Sequence, residues 1–92
     1  MYYVYFLLLN TGEIYKGFTS ELERRIQEHK LGNVISTKNK QPKLICYEAY
    51  LLKSDAARRE KFLKTTEGRR LLRQQLRDVL IKFQDSSSGH TT

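Results

Sequence analysis

The fold class predicted is α+β, a small central antiparallel sheet of three strands flanked by helices, in the order β-β-α-β-α-α. Three observations predict it. Two strand-like segments near the start are joined by the turn residues Asn10-Thr11-Gly12, a third strand-like run spans Lys43–Leu52, and the segments after Ser20 and Ser54 carry apolar residues at helical spacing. A chain of 92 residues is one domain, read here as residues 1–84, and at this size it buries only ~60–65% of its unfolded surface.

Tyr2–Leu9 is too continuously apolar and aromatic for a half-exposed strand, so it belongs in the middle of the sheet, covered on both faces. Glu13–Phe18 alternates and returns as its hairpin partner. With a three-residue loop, Asn10–Gly12, and Gly12 left-handed, Leu9 faces Glu13, Tyr5 lies opposite Gly17 and Leu7 opposite Tyr15. Both phenols then share one face, and Gly17 leaves a vacancy beside them. A loop one residue longer or shorter would send the two tyrosines to opposite faces.

Ser20 and Glu23 form a capping box that opens the first helix, and Gly32 closes it in a left-handed turn. Asn33–Pro42 is polar and basic and reads as a loop lying over the surface. Ser54 is the N-cap of a second helix running to about Thr65. A third follows directly, with Leu72, Leu76, Val79, Leu80 and Phe83 on one side and Arg69, Arg70, Arg73 and Arg77 mostly on the other. The Ser-rich tail, residues 85–92, is read as disordered, and His90 within it signals nothing.

Seventeen Lys and Arg against ten Asp and Glu leave a formal charge of +7, which favours a polyanionic partner, nucleic acid first and an acidic membrane surface second. The apolar start lacks a basic segment and a cleavage site, and no run approaches the ~18 residues of a membrane span, so the chain reads as soluble and cytoplasmic. The single cysteine, Cys46, forms no internal disulfide, and with two histidines it does not furnish an ordinary structural zinc site.

Leu22 and Ile26 define the buried stripe of the first helix, with Arg25 and His29 on one flank of it and Arg24 pointing the opposite way. Taken alone, such an arginine is ordinarily a stem packed on the core with its head in water, and such a histidine a half-buried residue with a satisfied ring. Glu60 lies near the centre of a small-and-apolar stripe with Ala56, Ala57 and Leu63. A carboxylate placed there needs a cation, either an arginine or a bound metal.

In combination these residues carry more. Tyr3-Val4-Tyr5, then Ile14-Tyr15-Lys16-Gly17, then Leu22-Glu23-Arg24-Arg25 with His29 on a helix, then Glu60 on the next helix, resembles the GIY-YIG nuclease superfamily. The likeness runs from about Tyr2 to Thr65, and is to its small stand-alone members and to the nuclease domain of nucleotide-excision repair endonucleases. The resemblance implies a phosphodiester hydrolase acting on DNA, RNA not being excluded, in repair, recombination or processing of DNA structures. It implies Tyr5 and Tyr15 as the two motif tyrosines, Arg25 as the helix arginine, His29 as a histidine found in some members, and Glu60 as the metal-binding glutamate. Tyr3 departs from the glycine that names the first motif, Phe18 stands where several members carry a lysine, and no asparagine matches the one that some members place late in the domain.

A single carboxylate at Glu60 suits Mg²⁺, or Mn²⁺, completed by waters and substrate phosphate. Arg25 offers a planar fork to the scissile phosphate. The general base falls to Tyr5 or Tyr15, and Gly17 lets the substrate backbone approach the sheet. Lys38, Lys40 and Arg58, helped by Lys43, Lys61 and the arginines of the third helix, supply phosphate contacts, and a partner protein is one source of substrate specificity. Two competing classes remain: a noncatalytic nucleic-acid-binding module with a decayed site, and a protein-interaction adaptor.

Overall fold

Gly12 sets the hairpin on which the rest is built. Its φ is +91°, and a side chain there would meet nothing within 4 Å, so what the turn demands is a left-handed backbone and not space. Its N–H donates to the Leu9 carbonyl at 2.9 Å, and the Leu9 N–H donates to the Glu13 carbonyl at 2.9 Å. Strand β1 (Tyr2–Leu8) therefore meets β2 (Ile14–Thr19) with Tyr5 opposite Gly17 and Leu7 opposite Tyr15, the register expected from the turn chemistry. Strand β3 (Lys43–Tyr50) pairs antiparallel with the other edge of β1, giving the order β2-β1-β3. The central strand is the apolar one, with Val4, Tyr5, Phe6 and Leu7 all buried. The β1–β3 register jumps between Phe6 opposite Cys46 and Leu7 opposite Leu44, so Ile45 is the extra residue of a bulge. The α+β class and the element order predicted above hold in this structure, a computed structural model that describes residues 1–88, with side chains through Gln84.

Helix α1 (Leu22–Lys30) lays Leu22 and Ile26 against Tyr5, Leu7, Leu9 and Tyr15. Its start differs from the predicted capping box. The N-cap is Glu21, without a side-chain cap, and Thr19 Oγ1 takes the Glu21 N–H at 3.0 Å, which carries the chain out of β2 and into the helix one residue later. Its end is as predicted. Gly32 at φ +78° lets its own N–H donate to the His29 carbonyl at 3.1 Å and the Asn33 N–H donate to the Glu28 carbonyl at 3.0 Å, a Schellman pair.

The segment 33–42 is not simply laid over the surface. A 3₁₀ turn at Ile35–Thr37 drives Thr37 to full burial, and the Asn10 N–H donates to the Lys40 carbonyl at 2.7 Å, fastening the segment to the hairpin. Asn39 and Gln41 sit at φ +65° and +51°, the left-handed region that non-glycine residues occupy at some cost.

Helix α2 (Lys53–Phe62) begins before Ser54, since the Leu52 carbonyl already accepts the Ala56 N–H at 3.3 Å. Ala56 is fully buried, Arg59 and Glu60 are half-buried, and Ala57 is exposed, so the inward stripe runs 56, 59, 60 and leaves out residue 57. Arg59 forks onto Glu48 of β3, Nε to Oε1 at 3.0 Å and Nη2 to Oε2 at 3.1 Å, while the Tyr50 hydroxyl donates to Oε1 at 2.7 Å. Burial and the Glu48 carboxylate push the Tyr50 phenol up to about 12, so it remains a donor at neutral pH.

The chain divides into two compact units, Met1–Phe62 and Leu63–Thr92, and the sheet, α1 and α2 all lie in the first. The second holds α3 (Thr66–Gln75) and α4 (Arg77–Ser88) where one helix is expected. Thr65 caps α3 by accepting the Gly68 N–H at 3.1 Å. Leu76, at φ −100° and ψ 20°, makes the break: it donates to the Leu72 carbonyl at 2.9 Å and accepts from the Leu80 N–H at 3.0 Å. The apolar period runs on through it, which is why the sequence reads as continuous. The α4 backbone is helical through Ser88, and the rest of the segment read as a disordered tail, His90 included, lies outside the described residues. Among the described residues no helix is long and apolar enough to cross a membrane.

Neighbouring arginines of α2 should behave oppositely. Arg59→Ala, which strands a half-buried carboxylate, is expected to lower stability by ~1.5–3 kcal/mol in urea denaturation. Arg58→Ala, which breaks an exposed 2.9 Å pair with Asp55, should change it by less than ~1 kcal/mol.

Candidate active site

The site begins at the cross-strand pair Tyr5–Gly17. The Tyr5 ring leans across β2, so that a Cβ at Gly17 would collide with its Cζ and hydroxyl oxygen. The vacancy expected beside Gly17 is therefore filled by Tyr5 itself, and the approach that Gly17 permits is made by that ring. From there the Tyr5 oxygen reaches α1: it lies 2.8 Å from His29 Nε2 and accepts from Arg25 Nε at 3.4 Å. The other ring nitrogen of His29, Nδ1, lies 2.7 Å from Thr37 Oγ1. Tyr5 and His29 are each 1% exposed and Thr37 is fully buried. The Tyr15 ring stands 5.1 Å from His29 and 6.3 Å from Tyr5, centroid to centroid. Its hydroxyl makes no hydrogen bond among the described residues.

Burial dominates the electrostatics. It holds the Tyr5 phenol above the usual tyrosine range; the Arg25 hydrogen bond partly offsets this, and the charges of Tyr15 and Glu60 add to it. It holds His29 below its ordinary value, with the Arg25 cation pushing the same way. The pair is thus a phenol beside a neutral imidazole, and which of the two donates across the 2.8 Å contact depends on the imidazole tautomer. Arg25 is kept a cation by Glu28, which accepts from Nη1 at 2.8 Å and is itself held below the usual carboxylate range by that contact. The Arg25 side chain is 37% exposed, and its Nη2 makes no hydrogen bond among the described residues, leaving two N–H donors for an anion.

Glu60 is half-buried on α2, close enough for its charge to raise the Tyr5 phenol. Among the described residues no three His, Cys, Asp or Glu gather in a way that would hold a metal. That donor set does not suit a closed protein cage. It does suit Mg²⁺ or Mn²⁺ held by one carboxylate and shared with substrate phosphate and water.

Tyr5, Tyr15, Gly17, Arg25 and His29 are thus brought together, with Glu60 in electrostatic reach. Lys38 is exposed and Lys40 half-buried on the 33–42 segment, and neither hydrogen-bonds to the cluster. Arg58 is not drawn in: it lies exposed and paired to Asp55, and the arginine turned inward on α2 is Arg59. Phe18 stacks on Tyr2 at 6.2 Å, and Lys16, opposite Phe6, faces away from Tyr5, so neither brings a charge to the cluster. Sequence reasoning misses Glu28 and Thr37. Glu28 is readable as an (i, i+3) partner of Arg25. Nothing local marks Thr37, whose burial depends on a histidine eight residues earlier.

A family model described as the GIY-YIG catalytic domain matches residues 1–73. The chain is 36% identical over 66 residues to the UPF0213 protein SH2523 of Staphylococcus haemolyticus (strain JCSC1435), covering 70% of this chain and 80% of that one. It is also similar to the solution NMR structure of the UPF0213 protein BH0048 from Bacillus halodurans, with a TM-score of 0.52 and 28% identity, covering 78% of this chain and 82% of that one.

Gly17→Ala should drive the Tyr5 ring off its seat. Stability is expected to fall by ~1–3 kcal/mol, the usual cost of overpacking, and the His29 imidazole resonances should move as Nε2 loses its partner. Unchanged stability with unmoved His29 signals would show that the Tyr5 ring does not cross Gly17.

Proposed function

Since the chain belongs to the GIY-YIG catalytic-domain family, we propose that it is a divalent-metal-dependent endonuclease that hydrolyses phosphodiester bonds in DNA. The single observation that carries this reading is the convergence of an arginine with two uncommitted N–H donors, two phenols and a neutral histidine on one sheet face, with a glutamate in reach. Its setting would be cytoplasmic, in repair, recombination or processing of DNA structures, and RNA is the second polyanion the same groups would accept.

Hydrolysis of a phosphodiester needs an attacking water, neutralisation of the phosphoryl oxygens and support for the leaving alkoxide. Arg25 would meet the second need, Nη2 offering two donors to non-bridging oxygens while Nη1 stays on Glu28 and Nε on Tyr5. Tyr15 is the better of the two phenols for the water, because its hydroxyl is uncommitted and its ring half-buried, whereas the Tyr5 oxygen is already engaged by His29 and Arg25 and its phenol is held protonated. That assigns the base to Tyr15 and a donor role to Tyr5. His29 keeps Tyr5 in place and stays neutral, adding no charge that would compete with the metal. Bound at Glu60, Mg²⁺ or Mn²⁺ would supply Lewis acidity to the phosphoryl group and a lowered pKa to a bound water. Lys38, Lys40 and Arg58 would add salt-sensitive, sequence-tolerant contacts to flanking phosphates, Arg58 after leaving Asp55. A partner protein would add substrate selectivity.

The test is cleavage by the purified chain of duplex, single-stranded, flapped and branched DNA, and of RNA, with Mg²⁺ or Mn²⁺. Cutting should stop with chelator and slow as salt rises. Glu60→Gln should fold normally and lose activity, and Arg25→Ala should lose about 10²–10³-fold in rate while Arg24→Ala, exposed on the far side of α1, changes little. Tyr15→Phe should remove the rise of rate with pH that deprotonation of the base produces. Salt-dependent binding to every substrate with no cutting in either metal would instead establish a noncatalytic binding module.

A further inference from the structure

The buried row Tyr5–His29–Thr37 has more hydrogens than its own links can use. Phenol, neutral imidazole and threonine hydroxyl carry one each, and only two links join them, at 2.8 Å and 2.7 Å. Among the described residues the only other side-chain hydrogen bond to any of the three is the one Tyr5 accepts from Arg25. One O–H is therefore left over, and which one depends on where the imidazole proton sits. With the proton on Nδ1, His29 donates to Thr37, Tyr5 donates to Nε2, and the surplus O–H is that of Thr37, fully buried with no acceptor. With it on Nε2, Thr37 donates to Nδ1, the Tyr5 oxygen accepts from both His29 and Arg25, and the surplus O–H is the phenol's, next to the guanidinium whose Nη2 is uncommitted.

We propose that Thr37 is a positioning residue which, by donating to His29 Nδ1, places the imidazole proton on Nε2 and turns the Tyr5 hydroxyl outward as a hydrogen-bond donor to an anionic phosphodiester oxygen held by Arg25. The proposal rests on the phosphodiesterase reading and adds a role to it: the 33–42 segment sets the direction of a donor to which, among the described residues, it makes no hydrogen bond. No charge moves. An acceptor oxygen beside Tyr5 favours the arrangement in which every hydrogen of the row is used, so substrate and Thr37 select the same tautomer. Threonine then plays toward His29 the part of an orienting third group, donating to the ring nitrogen that carries no proton.

The experiment reads the His29 tautomer directly, from long-range ¹H–¹⁵N spectra of the full chain, with and without a short deoxyoligonucleotide and with chelator present so that nothing is cut. The expected result is Nε2–H with the oligonucleotide bound, loss of that preference in Thr37→Val, and its return in Thr37→Ser. In the cleavage assay Thr37→Val should lower kcat about 10–100-fold with KM little changed, and Thr37→Ser should restore it. An Nδ1–H tautomer in the oligonucleotide complex, or a Thr37→Val enzyme with the parent kcat, overturns the proposal. If the parent chain cuts nothing, the nuclease reading falls, and the tautomer in the complex alone decides this one. If Thr37→Val does not fold, the tautomer of the parent complex decides in the same way.

Discussion

The site depends on one close approach, the Tyr5 ring lying across Gly17. No other residue at position 17 leaves room for it. Because the ring lies over β2, its oxygen meets α1 at Arg25 and His29 instead of ending in the apolar cluster with Leu7 and Leu9. The approach in turn depends on the hairpin register, and the register on the left-handed turn at Gly12. A slip of one residue would set Lys16 or Phe18 opposite Tyr5 and turn Tyr15 to the other face. A few backbone facts in the first twenty residues thus decide whether a site exists.

Around that contact the polar groups are arranged to be buried without net charge. The phenol is held up and the imidazole down, both mainly by burial, so the two cost less inside than a phenolate–imidazolium pair would. The Arg25 cation stays half in water with Glu28 beside it. Stability is supplied elsewhere, by the apolar central strand and by the Arg59–Glu48–Tyr50 clamp that seats α2. Glu60 is the next residue along α2 from that clamp.

Much of this arrangement is legible in the sequence. The hairpin register follows from one glycine and an alternation of period two, the central place of β1 from its unbroken apolar run, and the shared flank of Arg25 and His29 from their angles on α1, while their meeting with the tyrosines is what the family resemblance implies. What the sequence conceals involves choices between adjacent candidates or contacts far along the chain. Thr19 and Glu21 take the helix entry that Ser20 and Glu23 advertise, because a threonine ending a strand can accept the N–H two residues on. Charge alone points to Arg58, yet the buried stripe at 56, 59 and 60 turns Arg59 inward and leaves Arg58 in solvent. Thr37 sits in a stretch whose composition says surface, and only a partner on another element makes its burial favourable. The break at Leu76 leaves the apolar period undisturbed and so has no signature in spacing.

The central claim is that Tyr5 is a buried, neutral phenol held by His29 and Arg25, and the most direct measurement is its own titration. With ¹³C at the tyrosine Cζ positions, each of the six phenols can be followed as pH rises, Tyr5 assigned by its loss in Tyr5→Phe. The account predicts that Tyr5 ionises above the ordinary value near 10, because burial outweighs the help of Arg25. The folded-state value being raised, the stability that this phenol contributes is present below about 10 and is lost as pH climbs through the Tyr5 transition. A Tyr5 resonance that titrates at or below 10 in the metal-free protein would contradict it, and would return Tyr5 to the role of base.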